Sequence, residues 1–332
     1  MSKVLVLNRK EVEGLISMPM ALSAVEEAYR MKGTAQAEIW PMVFHVFDPD
    51  HRGDLDIKSG NMPGRYGLKV VSWFGENEKK GLPALVGTEL LFDMETGLPT
   101  ALLNAGPITA FRTGASAAIG AKYLAPKNPR KLCIVGCGAL APYVAAAYAL
   151  VFPDLQEMVI VNPHHPIHAT EKVGAIRSQA EQLAGRTIRL VAETDAEAAV
   201  RASDLVATIT PSTSPVVLAS WLHPGMQLSC IGADMAGKQE LESACVKHAL
   251  CFCDDCSQSL SVGEFEVPFH EGVLRALDGE IGAVVAGKAT GRTREDEIAI
   301  FDASGIALLD IAMAQALVEK AEDQGVGSTV TL

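Results

Sequence analysis

The sequence predicts an α/β fold with two domains, one built on a parallel sheet and one of mixed α and β structure. Three observations carry this. From position 131 onward, short apolar strands alternate with helical segments, the pattern of a parallel sheet with crossover helices. Strand-like segments separated by Gly and Pro turns fill 54–103, which suits an antiparallel sheet. A glycine-rich turn directly follows the apolar strand Lys131–Val135. A length of 332 residues also suits two domains, at roughly 100–200 residues each.

In chain order, the first helix is expected over Glu11–Lys32, where Val12, Leu15, Ile16, Ala21 and Val25 recur at helical spacing. Strands follow at Tyr66–Phe74, Ala84–Phe92 and Thr100–Leu103, with a hairpin turn over Met94–Gly97. A helix rich in small residues opens at Arg112 and runs to Leu124, where Ala125–Pro129 breaks it. The alternating region has strands at Lys131–Val135, Met158–Val161, Ile188–Val191, Leu205–Thr208, Met226–Ile231 and Ala249–Cys253. Helices are expected after Leu140 and at about Ala169–Leu183 and Ala196–Ala202. After a last strand, Glu297–Phe301, the helix Gly305–Ala321 is expected to pack back on the first domain. The expected domains are 1–125 plus 307–332, and 126–306.

Composition removes several function classes. Lys plus Arg is 28 against 40 Asp plus Glu, a net charge of -12, which argues against nucleic acid or an anionic membrane as the main partner. The N-terminal stretch lacks the apolar core of a signal peptide. The longest nearly apolar run, Tyr143–Phe152, is far short of the ~20 residues of a membrane span. An odd count of 7 cysteines, mostly in apolar runs, fits reduced thiols in the cytoplasm. Cys251, Cys253 and Cys256 lack a companion pair at zinc-site spacing, so no metal is expected.

The turn Gly136-Cys137-Gly138-Ala139-Leu140-Ala141 is G-x-G-x-x-A in strand–turn–helix context, the dinucleotide fingerprint of a Rossmann domain. Gly136 permits the tight turn, Gly138 lets backbone approach a pyrophosphate, and Ala141 allows close helix–sheet packing. The amides of Ala139 and Leu140 and the helix N-terminus face the phosphates. The residue that ends the second strand decides between coenzymes. It is Asn162, followed by Pro163, His164 and His165; an acid in its place would grip a ribose 2′-hydroxyl and repel a 2′-phosphate. The cofactor is therefore read as NAD(P)H, with NADP slightly favoured over NAD.

Two cations stand in apolar surroundings. Lys69 shares its strand face with Gly67, Val71 and Trp73, where a charge needs a partner or a task. The alternative is an edge-strand lysine reaching water. Arg112, at the start of its expected helix, opposes the helix dipole unless an anion sits there. Its guanidinium suits a carboxylate gripped by two parallel hydrogen bonds, or a plain structural salt bridge. Asp234 and Lys238 follow the strand Met226–Ile231 at the carboxyl end of the sheet. They are candidates for acid–base work near a nicotinamide, or turn-forming residues.

Together these segments resemble the ornithine cyclodeaminase/μ-crystallin family. The resemblance rests on Gly67-Leu68-Lys69, Phe111-Arg112-Thr113-Gly114, the 136–141 turn, Gly232-Ala233-Asp234 through Leu241, and Phe301-Asp302-Ala303-Ser304-Gly305. It implies a homodimer in which each subunit joins a Rossmann domain to an α/β substrate and dimerisation domain. Lys69 and Arg112 would hold a substrate α-carboxylate. Asp234 would orient the amino or imino nitrogen and assist proton transfer. Thr113 and the turn would contact phosphates, and Ser304 would line the nicotinamide side. Thr210 joins these as a cofactor-binding candidate. The implied activity is NAD(P)-dependent oxidation or reduction of a small α-amino/α-imino acid, as in an imine reductase or alanine dehydrogenase. Ornithine or lysine cyclodeaminase activity with recycled NAD, or a non-catalytic cofactor-bound binding protein, are the alternatives.

The sequence departs from the family pattern near its start. Many relatives carry an Arg shortly after a Pro, where this chain reads Trp40-Pro41-Met42-Val43-Phe44-His45. His45 or Lys58 is expected to take that role, or Lys58 to meet a second carboxylate on the substrate. Leu140 stands where relatives often have Gln, which weakens the cyclodeaminase alternative.

Overall fold

The computed structural model describes residues 3–47 and 53–332; residues 1–2 and 48–52 lie outside them. The chain divides into two compact units, Met1–Arg112 with Ile306–Leu332, and Thr113–Gly305.

The first unit opens with strand β1 (Lys3–Leu7) and helices α1 (Arg9–Leu15) and α2 (Met18–Gly33). The single helix expected over Glu11–Lys32 is thus two. Ser17 caps a new helix through its side chain, with Pro19 in the first turn, where a missing N–H is harmless. The strands β2 (Glu38–Ile39), β3 (Val43–Val46), β4 (Asp54–Met62), β5 (Arg65–Trp73), β6 (Leu85–Asp93) and β7 (Pro99–Asn104) follow. Helix α3 (Ala105–Leu124) comes next, and the boundary between the units falls inside it.

The sheet of this unit has 8 strands. Its order runs from the C-terminal strand Ser328–Thr331 through β1, β7, β6, β5 and β4 to β2, with β3 also pairing β4. Only β1 and β7 pair in parallel; the β4–β5–β6–β7 pairs are antiparallel. The C-terminal helix Ala307–Gln324 packs on α2 and across β4, β5 and β6. Alternation along β4–β6 therefore turns Lys58, Lys69 and Glu89 toward a buried face, each directly opposite the next in the register.

The second unit holds β8 (Lys131–Val135), α4 (Ala141–Val151), β9 (Glu157–Val161), α5 (Pro166–Ala184), β10 (Leu190–Ala192), α6 (Ala196–Arg201) and β11 (Leu205–Thr208). Then come β12 (Thr213–Val217), β13 (Gln227–Cys230), β14 (Gln239–Leu241), β15 (Ala249–Cys253), α7 (Cys256–Val262), β16 (Gly279–Glu280) and β17 (Ile298–Asp302). An 8-stranded sheet runs β10-β9-β8-β11-β13-β17-β15-β16, and every pair in it is parallel. Its central strands β11 and β13 are buried along their whole length, as strands covered on both faces of a parallel sheet are. The order reverses between β8 and β11, the switch point outside whose carboxyl ends ligands bind in doubly wound sheets.

Candidate active site

The glycine turn leaves β8 at that switch point. Gly136 has φ 120°, and a Cβ there would lie 2.9 Å from Ile209 Cγ1 and 3.1 Å from its carbonyl oxygen. Only glycine meets that combination without strain. A Cβ at Gly138 would meet nothing within 4 Å, so the outer side of the turn is open to a ligand. Helix α4 begins at Ala141 without a side-chain cap on its amides, and Ala141 and Pro142 are buried. An open glycine backbone leading into an uncapped helix N-terminus fits a pyrophosphate.

The other cofactor candidates all lie in this unit. Asn162 directly follows β9; its Nδ2 donates to Cys137 Sγ, and its Oδ1 accepts from His165 N. The second strand is thereby tied to the turn. His164 Nε2 lies 3.4 Å from Ser212 Oγ. Thr210 donates from both N and Oγ1 to Glu240 Oε1, at 2.6 and 2.7 Å. Glu240 also accepts from Thr208 Oγ1 and Gly232 N, so one buried carboxylate joins the loops after β11 and β13. Ser304 donates to Asp254 Oδ1 at 3.0 Å, and Gly305 N donates to Oδ2 at 2.7 Å. Thr113 is buried on α3. Asp234 is about half exposed after β13 and pairs with Lys238 Nζ at 2.5 Å. Glu240 and Asp254 are both fully buried, and no spacing or motif in the sequence marks either as the anchor of a cofactor loop.

In the first unit the structure assembles a buried charged cluster. Lys69 Nζ donates to Asp310 Oδ1 at 2.8 Å and lies 3.5 Å from Thr109 Oγ1. Arg112 Nε stands 3.4 Å from the same Asp310 oxygen, close enough for an ion pair but not aligned as a hydrogen bond. Lys58 and Glu89 flank Lys69 on the neighbouring strands. The five charged side chains are all buried.

Burial lowers Lys69 to a pKa of about 8, helped by Arg112 and Lys58 and opposed by Asp310. Burial alone would raise Asp310, but Lys69, Arg112 and Lys58 outweigh it and hold that carboxylate below its ordinary range. Glu89 lies well above its ordinary range, through burial first and then the nearby Asp310 carboxylate.

The structure corrects one expectation here. Arg112 does not open its helix. The helix begins at Ala105, with Asn104 Oδ1 accepting from Gly106 N, so Arg112 lies two turns inside it. Gly106-Pro107 looks like a break but forms the first turn, where proline has no hydrogen bond to lose. Arg112 therefore does not oppose the helix dipole, and answers to Asp310 instead. His45 is exposed on β3, edge-on to Phe47, and is not brought into the cluster; Lys58 is. Asp310 and Glu89 were not anticipated. Each is a single acid in an apolar run, Leu308-Leu309-Asp310-Ile311 and Thr88-Glu89-Leu90-Leu91, which was the available signal.

The motifs, the switch-point turn and the paired buried cations point the same way as the comparison with known proteins. The chain belongs to the ornithine cyclodeaminase/mu-crystallin family, whose model matches residues 2–325. Alanine dehydrogenase of Archaeoglobus fulgidus is 38% identical over 330 residues, covering 99% of this chain and 98% of the relative. An archaeal alanine dehydrogenase dimer with bound NAD has a TM-score of 0.91 at 37% identity, covering 100% of both chains. The iminosuccinate reductase of Paracoccus denitrificans in complex with NAD+ has a TM-score of 0.90 at 31% identity, again over 100% of both. No helix among the described residues is long and apolar enough to cross a membrane.

Proposed function

We propose that this member of the family is an NAD(P)-dependent oxidoreductase acting on a small α-amino/α-imino acid, working as an imine reductase or in the manner of alanine dehydrogenase. The observation that carries the reading is the buried cluster of Lys58, Lys69 and Arg112, a carboxylate receptor, in a chain that also holds a dinucleotide turn. When bound, the nicotinamide supplies or accepts the hydride at the substrate α-carbon.

Lys69 and Arg112 grip the α-carboxylate. Arg112 Nε has no hydrogen-bond partner among the described residues and is free to take one from an incoming anion. Fixing the carboxylate fixes the α-carbon, and holding reactants in place supplies much of a rate enhancement. Lys58 takes the role left open by the missing arginine, or meets a second carboxylate. Asp234, paired with Lys238, carries the proton that nitrogen gains or loses. Thr113 and the backbone of Gly136, Gly138, Ala139 and Leu140 hold phosphates, while Asn162 and His164 lie toward the adenosine ribose. Ser304 and Thr210, each fixed by a buried carboxylate, line the nicotinamide end.

For the coenzyme, Asn162 in place of an acid favours NADP slightly, because nothing there repels a 2′-phosphate. Steady-state kcat/KM with NADPH and with NADH checks this; a ratio below one reverses the preference. We further propose a homodimer in the cytoplasm. Val43, Phe44, Phe47, Trp73, Phe74, Leu85 and Val86 form an exposed apolar strip along β3 and the paired ends of β5 and β6, the kind of surface a second copy covers. Sedimentation giving a monomer would remove that part. All 7 cysteines are free, as suits a reducing compartment.

The test of the activity is coenzyme oxidation with pyruvate, glyoxylate or oxaloacetate plus ammonia or methylamine, and with cyclic imines. Turnover of at least one, lost by two orders of magnitude or more in Lys69→Ala, is the expected result. No turnover with any of them refutes the reading.

A further inference from the structure

The charged cluster contains four buried polar atoms without a hydrogen-bond partner among the described residues: Arg112 Nε, Asp310 Oδ2, and both oxygens of Glu89. A buried carboxylate that accepts nothing is costly, so such atoms mark a place that a ligand or water completes. Their chemistry is specific. Arg112 Nε is a donor and asks for an acceptor, which a substrate carboxylate supplies. With Glu89 ionised, the other three are acceptors and ask for N–H or O–H donors. Lys69 cannot answer them all, because one of its three N–H bonds is already given to Asp310 Oδ1 and two remain for three acceptors. One small molecule that satisfies both demands carries a carboxylate and a hydrogen-bearing nitrogen. A 2-oxo acid offers acceptors only, and a 2-hydroxy acid offers a single donor.

We propose that Glu89 is the residue that takes the substrate nitrogen, accepting its N–H bonds while Lys69 and Arg112 hold the carboxylate. The placement supports it. Glu89 lies directly across from Lys69 in the β5–β6 register, so a ligand gripped at Lys69 presents its α-substituent within reach of the next strand. The side chain is fully buried, and no cation is bonded to it. Its carboxyl stands well above its ordinary range because of burial and Asp310, with Lys69 and Arg112 pulling the other way. The free protein therefore keeps Glu89 protonated; a cationic nitrogen placed beside it relieves that penalty, so the proton leaves to solvent and both oxygens accept. The proposal rests on the amino/imino acid reading and sharpens it: the site discriminates nitrogen from oxygen at the α-carbon.

The experiment is calorimetric binding to the NAD-loaded full-length protein, using ligand pairs of identical skeleton, L-alanine with L-lactate and L-aspartate with L-malate. In the wild type the amino member of at least one pair binds tenfold tighter or more. In Glu89→Gln and in Glu89→Leu that ratio falls to twofold or less, while affinity for the hydroxy acid stays within twofold. A variant that keeps the ratio overturns the proposal. So does one that loses both members equally, which marks a structural role. A wild type without preference, or binding none of the four, overturns it with no variant needed. Coenzyme turnover is scored separately: absent turnover with a Glu89-dependent preference defeats the enzymatic reading and leaves the nitrogen site standing.

Discussion

Lys69 and Asp310 are 241 positions apart, yet Nζ of one donates to Oδ1 of the other at 2.8 Å, and their side chains are 1% and 0% exposed. Neither charge is tolerable there alone. The pair is the fixed point of the charged cluster, and it determines how that cluster responds to pH.

The first consequence concerns the alkaline side. In its proposed role Lys69 can hold a carboxylate only when protonated, and burial with Arg112 and Lys58 nearby brings its pKa down to about 8. The cation is therefore present below that value and lost above it. For a carboxylate substrate, kcat/KM is expected to hold up to about pH 8 and then fall, approaching tenfold per pH unit. A plateau reaching well past pH 9 would show that Lys69 keeps its proton more firmly than its surroundings imply.

Removing the partner moves that limb. Asp310 supports the Lys69 proton both by its charge and by its hydrogen bond. Asp310→Asn leaves the ammonium beside two other cations, so its pKa drops below about 8 and the fall in kcat/KM begins at lower pH. Breaking a buried pair on one side typically costs about 3–5 kcal/mol, and neutralisation of Lys69 limits the loss to the lower part of that range. Denaturant unfolding at neutral pH measures the second effect. A limb that stays in place or moves upward contradicts the assignment.

Glu89 carries the opposite linkage. Its folded-state pKa is raised, so the native protein keeps a proton that the unfolded chain releases near its ordinary value. Stability from this group is fully present below the unfolded pKa and drains away as pH rises toward the folded one. Glu89→Gln cannot ionise and escapes the loss. Its melting temperature relative to wild type should therefore rise as pH increases above about 4.5. A difference that falls over the same range would mean that the fold holds Glu89 ionised.

What the sequence disclosed, and what it hid, follows from the range of each interaction. The dinucleotide turn is local: strand, glycines and helix lie within 21 residues, Lys131 to Val151, and can be read from spacing alone. Lys69 was visible because a cation on an apolar strand face must be answered. Its answer was not, because no local pattern brings the C-terminal helix over β5. Arg112 was found for a reason that failed, since the helix starts seven residues earlier than its small-residue run suggests. Pairing of β1 with the C-terminal strand Ser328–Thr331 is equally non-local and left no sequence mark.

The two glycines of the turn separate folding from binding. Gly136 has φ 120° and its missing Cβ would press on Ile209, at 2.9 Å from Cγ1. Gly136→Ala should destabilise the free protein by about 1–3 kcal/mol, whatever it does to the coenzyme. Gly138 has no such constraint, because a Cβ there meets nothing within 4 Å. Gly138→Ala should melt within a degree or so of wild type when coenzyme is absent. The added methyl would occupy the space that a pyrophosphate needs, and coenzyme affinity should fall about tenfold, ~1.4 kcal/mol. Thermal melts with and without NAD distinguish the two: Gly136→Ala starts low, whereas Gly138→Ala starts at the wild-type value and gains less on adding coenzyme. If Gly138→Ala is stabilised by coenzyme as fully as wild type, the phosphates do not lie against this turn, and the dinucleotide site must be sought elsewhere in the unit.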